Sequence, residues 1–114
     1  MARIMAIMAR QQPYTLAFVD ATAEHLRAIE VKYHALIRQR THEQLRLEPN
    51  VETRNRKPLR QPAALGATWE LRLGPDNRFR VLYGVDVEGQ QVQILAIGIK
   101  EGNRLFVGGE EMEL

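Results

Sequence analysis

The sequence predicts an α+β fold. Its small antiparallel sheet consists of one N-terminal strand and a three-stranded C-terminal meander, with two N-terminal helices packed on one face. Two observations support this fold class. The N-terminal part carries apolar residues at helical spacing, whereas residues 69–99 alternate apolar and polar side chains between turn signals. The length of 114 residues suits one domain with one modest core.

The chain is predicted to begin its fold with a strand and a helix. Residues 14–20 are rich in β-forming residues and have large apolar side chains at the alternate positions Tyr14, Leu16 and Phe18, which is typical of a strand. Either Asp20 or Thr22 offers an N-cap for the helix that follows. Apolar residues within 26–37 recur at helical spacing and give this helix one apolar stripe.

A second helix is predicted from Thr41. Thr41 and Gln44 have the spacing of a capping box, and Pro49 requires the helix to end before it. Residues 49–67 are rich in Pro, Asn and Arg, so we expect a loop there.

The C-terminal part is predicted to form strands at 69–73, 78–86 and 91–99, with 104–107 adding a short element. A turn at "GPDNR" places the apolar residues of the first two strands opposite each other. A two-residue turn at Glu88–Gly89 does the same for the second hairpin. This second register predicts Ala96 and Gly98 on the helix-packed face, and Ile97 and Ile99 on the opposite face. Gly84 within a strand indicates a bulge, a close backbone approach or, equally well, a gap in the packing.

The predicted sheet places Arg72 directly across from Arg80. Like charges in this arrangement are unfavourable by a few tenths of a kcal/mol up to about 1 kcal/mol. The pair therefore indicates an anion-binding site on that face. Two alternatives remain: both side chains extend into water, or Glu70 and Asp86 neutralise them.

Composition limits the function classes. The chain has no cysteine, which excludes disulfides and thiolate metal sites. Its apolar runs are too short for a membrane span, and residues 1–12 make a poor signal peptide, so we expect a cytoplasmic protein. The net charge is +2, but basic residues are concentrated within 38–60. That segment suits a polyanion partner, although it also suits solvated arginines. The predicted divisions are a mobile leader at 1–12, a domain at 13–107 and an acidic tail at 108–114.

Three segments follow one another in an order that is typical of a known protein family: the basic loop "RNRKPLR" (54–60), the strand "WELRLG" and the strand "RFRVLYGVD". With "VQILAIGIKEGNRLF" after them, residues 13–107 resemble the RelE/ParE superfamily of toxins from bacterial type II toxin–antitoxin modules. RelE-like members cleave messenger RNA in the ribosomal A site, whereas ParE-like members inhibit DNA gyrase.

The RelE-like resemblance implies a metal-independent endoribonuclease that needs no cofactor. Its partners would be messenger RNA, the ribosome and a cognate antitoxin, with homodimerisation inside the toxin–antitoxin complex left open. The resemblance assigns catalysis to four residues: Arg56, Lys57, Arg60 and Arg80. It assigns phosphate binding to four more: Arg54, Arg72, Lys100 and Arg104.

One feature departs from the nuclease pattern. Many nuclease members have a histidine or tyrosine near the end of the last long strand, where this chain has Ile99 and Phe106. The residues that would transfer protons therefore stay unassigned. This departure keeps two alternatives open: a ParE-like gyrase inhibitor, and a member without catalysis that only binds its antitoxin.

Overall fold

The computed structural model describes residues 12–60 and 65–113, so nearly all of the predicted leader lies outside the described residues. The helices are α1 (Ala21–Arg27) and α2 (His34–Leu45), with a 3-10 turn at Val31–Tyr33 between them. A second 3-10 turn, Pro75–Asn77, lies between two strands. The strands are β1 (Thr15–Phe18), β2 (Arg56–Pro58), β3 (Trp69–Leu73), β4 (Phe79–Asp86), β5 (Gln91–Glu101), β6 (Arg104–Val107) and β7 (Glu110–Met112).

All these strands form one sheet. Its order is β2-β3-β4-β5-β6-β7, and β1 lies parallel to the first half of β5. The predicted α+β class, with helices packed on one face of a largely antiparallel sheet, is confirmed. The sheet is larger than predicted at both ends. β2 lies within the predicted loop, and β7 uses residues that the sequence assigned to the acidic tail.

The boundary between the helices was predicted wrongly. The apolar stripe of residues 26–37 does not lie on one helix, because the chain leaves α1 after Arg27 and enters α2 at His34. Thr41 is buried in the middle of α2, and its hydroxyl donates to the Ile37 carbonyl oxygen at 2.6 Å. A threonine that bonds back one turn fits inside a helix, so the capping-box spacing does not mark a start here.

The first hairpin has the predicted register, with Leu71 opposite Val81 and Arg72 opposite Arg80. The second hairpin follows the prediction only from its turn to the pair of Tyr83 and Ile94. Beyond it, Leu82 pairs with Ala96, so Leu95 is an extra residue in β5 and forms a β-bulge.

The bulge overturns the predicted faces for the second half of β5. Ile97 and Ile99 pair with Val81 and Phe79, and they pack in the core under the helices. Ala96 and Gly98 lie on the other face, which we call the outer face. The predicted irregularity at Gly84 is absent, since Gly84 pairs regularly with Gln93.

Both faces of the sheet carry apolar clusters. The main core joins α1 and α2 to the inner face, with Ile37, Phe79 and Tyr83 fully buried. A smaller cluster on the outer face contains Leu82 and Leu105. No helix within the described ranges is long and apolar enough to cross a membrane.

Candidate anion-binding site

The outer face gathers basic residues from four adjacent strands. Lys57 of β2 pairs with Glu70 of β3, and Arg72 of β3 pairs with Arg80 of β4. Arg80 pairs with Gly98 of β5, and Lys100 follows Gly98 by two residues on the same face. The pairing of strands therefore brings four of the predicted site residues to one surface.

Glu70 lies between the two arginines. Its Oε1 accepts a hydrogen bond from Arg72 Nε at 2.8 Å and another from Arg80 Nη1 at 2.7 Å. The Glu70 side chain is only 6% exposed and that of Arg80 only 8%, whereas Arg72 is 37% exposed. Of the two neutralising residues considered from the sequence, Glu70 fills that role. Asp86 instead accepts from the backbone N–H of Gly89 in the β4–β5 turn.

Arg80 lines a depression of about 300 Å³ at the end of the sheet. Lys100 and Arg104 line it as well, and Glu111 and Glu113 bring carboxylates to it from the C-terminal segment. Arg104 Nε lies 3.6 Å from Glu111 Oε1. This depression therefore mixes basic and acidic groups.

Arg72 lines a different depression, of about 320 Å³, between α2 and the β3–β4 turn. Neither depression is lined by both arginines. The sequence suggested one anion between the pair, but Glu70 holds that position and each arginine meets its own depression.

Arg56 lies apart from the other predicted catalytic residues. It pairs with Leu71, so its side chain belongs to the inner face. Its Nη1 donates to the Gln44 carbonyl oxygen at 2.5 Å, and its Nε donates to the Val51 carbonyl oxygen at 3.0 Å. The guanidinium of Arg56 thus ties the end of α2 to β2.

Three of the predicted residues lie in β2 or close to its ends: Lys57, Arg54 and Arg60. Lys57 Nζ is 3.3 Å from a carboxylate oxygen of Glu52. Arg54 and Arg60 are exposed in the chain on either side of β2. Within residues 12–60 and 65–113, neither forms a salt bridge.

Proton-transfer groups are placed away from these depressions. No histidine or tyrosine in the described part of the chain lines either of them. Tyr83 is buried on the inner face, and its hydroxyl donates to the Pro49 carbonyl oxygen at 2.6 Å. Burial raises the pKa of Tyr83 above its ordinary value, so its hydroxyl stays protonated at neutral pH and cannot accept a proton from RNA.

Sequence reasoning missed four polar residues that line the Arg72 depression: Arg40, Gln44, Asn55 and Asn77. The predicted boundary at Thr41 placed Arg40 near a helix end, although it lies in the middle of α2. Its position beside β3 follows from the packing of the helix on the sheet, which local sequence does not encode.

No family model and no curated protein matches the chain. A solved structure does match it, with a TM-score of 0.62 and 30% sequence identity. The match covers 77% of this chain and 99% of that chain. The matched structure is the crystal structure of the toxin–antitoxin complex RelBE2 from Mycobacterium tuberculosis.

Proposed function

This chain belongs to the RelE/ParE superfamily of bacterial toxins, and on that premise we propose that it is a ribosome-dependent messenger-RNA endoribonuclease held inactive by a cognate antitoxin. The observation that carries the nuclease part is the outer face, where Lys57, Arg72, Arg80 and Lys100 come together. Glu70 neutralises only part of the positive charge on this face, so the face suits an RNA phosphate chain.

The proposed reaction requires charge stabilisation. The 2′-hydroxyl of a nucleotide gives up its proton to water and its oxygen attacks the adjacent phosphorus, which forms a 2′,3′-cyclic phosphate. The bond from phosphorus to the 5′-oxygen breaks, and that oxygen takes up a proton from water. Negative charge grows on the phosphoryl oxygens during this step, and guanidinium groups stabilise it by paired hydrogen bonds. Arg80 is the proposed group for this role, with Lys100 and Arg104 lining the same depression.

Proton transfer is the weaker part of this site. A positioned acid or base typically contributes about 10²–10⁴-fold to a rate. With no histidine or tyrosine lining either depression in the described ranges, we expect slow cleavage that relies mainly on charge stabilisation. The same observation favours a second candidate, a ParE-like inhibitor that binds gyrase and cleaves nothing.

The proposed partners follow from the same surface. An antitoxin segment with acidic side chains would complement the outer face and exclude RNA from it. Ribosomes are cytoplasmic, so a protein that acts on translated messages would also be cytoplasmic, as expected from the sequence.

Induced expression in a bacterial host tests the proposal. We expect growth arrest, cuts within translated messages in primer extension, and unchanged gyrase supercoiling by the purified protein. An Arg80→Gln variant, shown by circular dichroism to be folded, should lose the cuts. Intact messages together with blocked supercoiling would establish the ParE-like alternative instead.

A further inference from the structure

We propose that the depression between α2 and the β3–β4 turn is a nucleotide subsite. It would bind one nucleotide of single-stranded RNA, with its phosphate between Arg40 and Arg72. This inference rests on the proposed function, because it assigns an additional part of the RNA to a surface outside the depression that Arg80 lines.

The charge of this depression is the first argument. Arg40 of α2 and Arg72 of β3 both line it, and none of its described lining residues is acidic. The Arg80 depression, in contrast, is lined by Glu111 and Glu113 as well as by basic residues. The Arg72 depression is therefore the more favourable place for a phosphate.

The hydrogen bonds of Arg72 are the second argument. Its Nε donates to Glu70, whereas its terminal nitrogens make no hydrogen bond to any protein atom in the described ranges. A guanidinium held at Nε keeps both terminal nitrogens available for a two-point bond to phosphate. Glu70 thereby acts as a positioning residue, since it anchors Arg72 without occupying the depression.

The walls of the depression suit a nucleobase. Leu36, Leu73 and Pro75 give it apolar surface, and Gln44 and Asn55 add amide-bearing residues. Unstacked bases of single-stranded RNA bind to such mixed surfaces through their faces and their hydrogen-bonding edges. The volume of about 320 Å³ is large enough for one base with its phosphate and too small for a duplex.

Asn55 is held in place by the backbone. Its carbonyl oxygen accepts from the Arg72 N–H at 2.8 Å, and its own N–H donates to the Thr53 hydroxyl at 3.2 Å. The loop before β2 is therefore fixed against β3 at the rim of the depression. A subsite built from two anchored segments needs little rearrangement to accept its ligand.

The test uses the full-length protein and a trinucleotide carrying 2′-O-methyl groups, which lack the attacking hydroxyl and cannot be cleaved. We expect the trinucleotide to shift the NMR amide signals of Asn55 and Gly74. Arg40→Gln should weaken binding about tenfold and reduce the slope of log Kd against log salt by about 0.7, the value for one phosphate contact on a single strand.

Arg38→Gln is the matched control. Arg38 lies on the same helix but lines a different depression, beside Phe18 and Asp20. It should change the affinity less than about twofold. Equal effects of the two variants, no shifts at Asn55 and Gly74, or no binding of the trinucleotide would each overturn the subsite.

The growth and primer-extension assays judge the nuclease function separately. If Arg40→Gln still cuts messages and the trinucleotide does not shift the Asn55 signal, the subsite is contradicted and the proposed nuclease function stands. If the protein binds the trinucleotide through Arg40 but cuts no message, the subsite is supported and the proposed nuclease function is contradicted.

Discussion

Glu70 places one carboxylate oxygen against two arginines. The three side chains together carry one net positive charge, and two of them are almost fully buried. A buried ion pair adds little stability compared with an apolar replacement, but removing one partner leaves a charge with fewer bonds. The cluster therefore makes Arg80 important for stability, in addition to its proposed role in phosphate binding.

Arg80→Ala should lower the free energy of unfolding by roughly 1–3 kcal/mol, because Glu70 loses one of its two charged donors. From the sequence alone, removing one of two facing arginines would relieve repulsion and leave stability equal or higher. Urea unfolding decides between these outcomes. Lys57→Ala is the control, since its partly exposed pair with Glu52 should contribute less than about 1 kcal/mol.

His25 should give part of the stability a pH dependence. Its Nδ1 accepts from the Ile97 N–H at 3.3 Å, a bond that requires this nitrogen to be unprotonated. Burial lowers the pKa of His25, and the nearby Glu24 partly opposes this. The unfolded chain therefore takes up the proton first as the pH falls below the ordinary value of 6.5.

This contribution is complete above pH 6.5 and is lost as the pH falls towards the lowered pKa of the folded state. Urea unfolding at neutral and mildly acidic pH, in the unmodified protein and in His25→Gln, separates the contribution of His25 to stability from that of other titrating groups. We expect the parent to lose more stability than the variant. Equal losses in both proteins would contradict the role of His25.

At the scale of elements, local pattern fixed most strands and the first hairpin. The alternation in residues 69–86 left one register that places all of their apolar residues except Leu82 on the inner face. The bulge at Leu95 was not predictable in this way, because residues 94–97 are all apolar and fit either face. The parallel pairing of β1 with β5 and the short strands β2 and β7 depend on tertiary contacts.

The second half of β5 packs closely against β6. A Cβ built on Gly98 would lie 2.6 Å from the Phe106 carbonyl oxygen and 2.9 Å from a Val107 methyl carbon. Gly98→Ala should therefore destabilise the protein by about 1–3 kcal/mol, since backbone has to move. Gly84→Ala is the matched control in β4, because a Cβ there meets nothing within 4 Å. Thermal melts that rank the two variants equally would contradict the close approach.

At the scale of the whole molecule, charge placement matters more than the net charge of +2. Of the site residues that resemblance assigned, Lys57, Arg72, Arg80 and Lys100 lie on the outer face, whereas Arg56 joins α2 to β2. Strand pairing alone explains this division, because alternate residues of β2 face opposite sides. The family resemblance identified the candidate site residues, and the strand pairing shows which of them lie together on one face.

Glu113→Gln should strengthen binding of a short RNA severalfold at low salt, because Glu113 lines the depression with Arg80 and Lys100. Glu110→Gln changes the net charge equally but does not line that depression, so its effect should be smaller. Fluorescence anisotropy at low and high salt measures both variants. Identical gains would mean that only overall charge matters, and a gain that persists at high salt would contradict the electrostatic explanation.

The bulge at Leu95 also reverses which positions of β5 face the core, so the pattern before the bulge differs from the pattern after it. Ile94 and Lys100 are an even number of residues apart, a spacing that would give both the same side in a regular strand. Because of the extra residue, even-numbered side chains face the core before the bulge, and odd-numbered side chains face it after the bulge. Loss of the single codon for Leu95 would therefore make β5 a regular strand in which Ile97 still faces the core and Lys100 still lies on the outer face, so this one in-frame deletion would remove the bulge and leave both residues on their present sides.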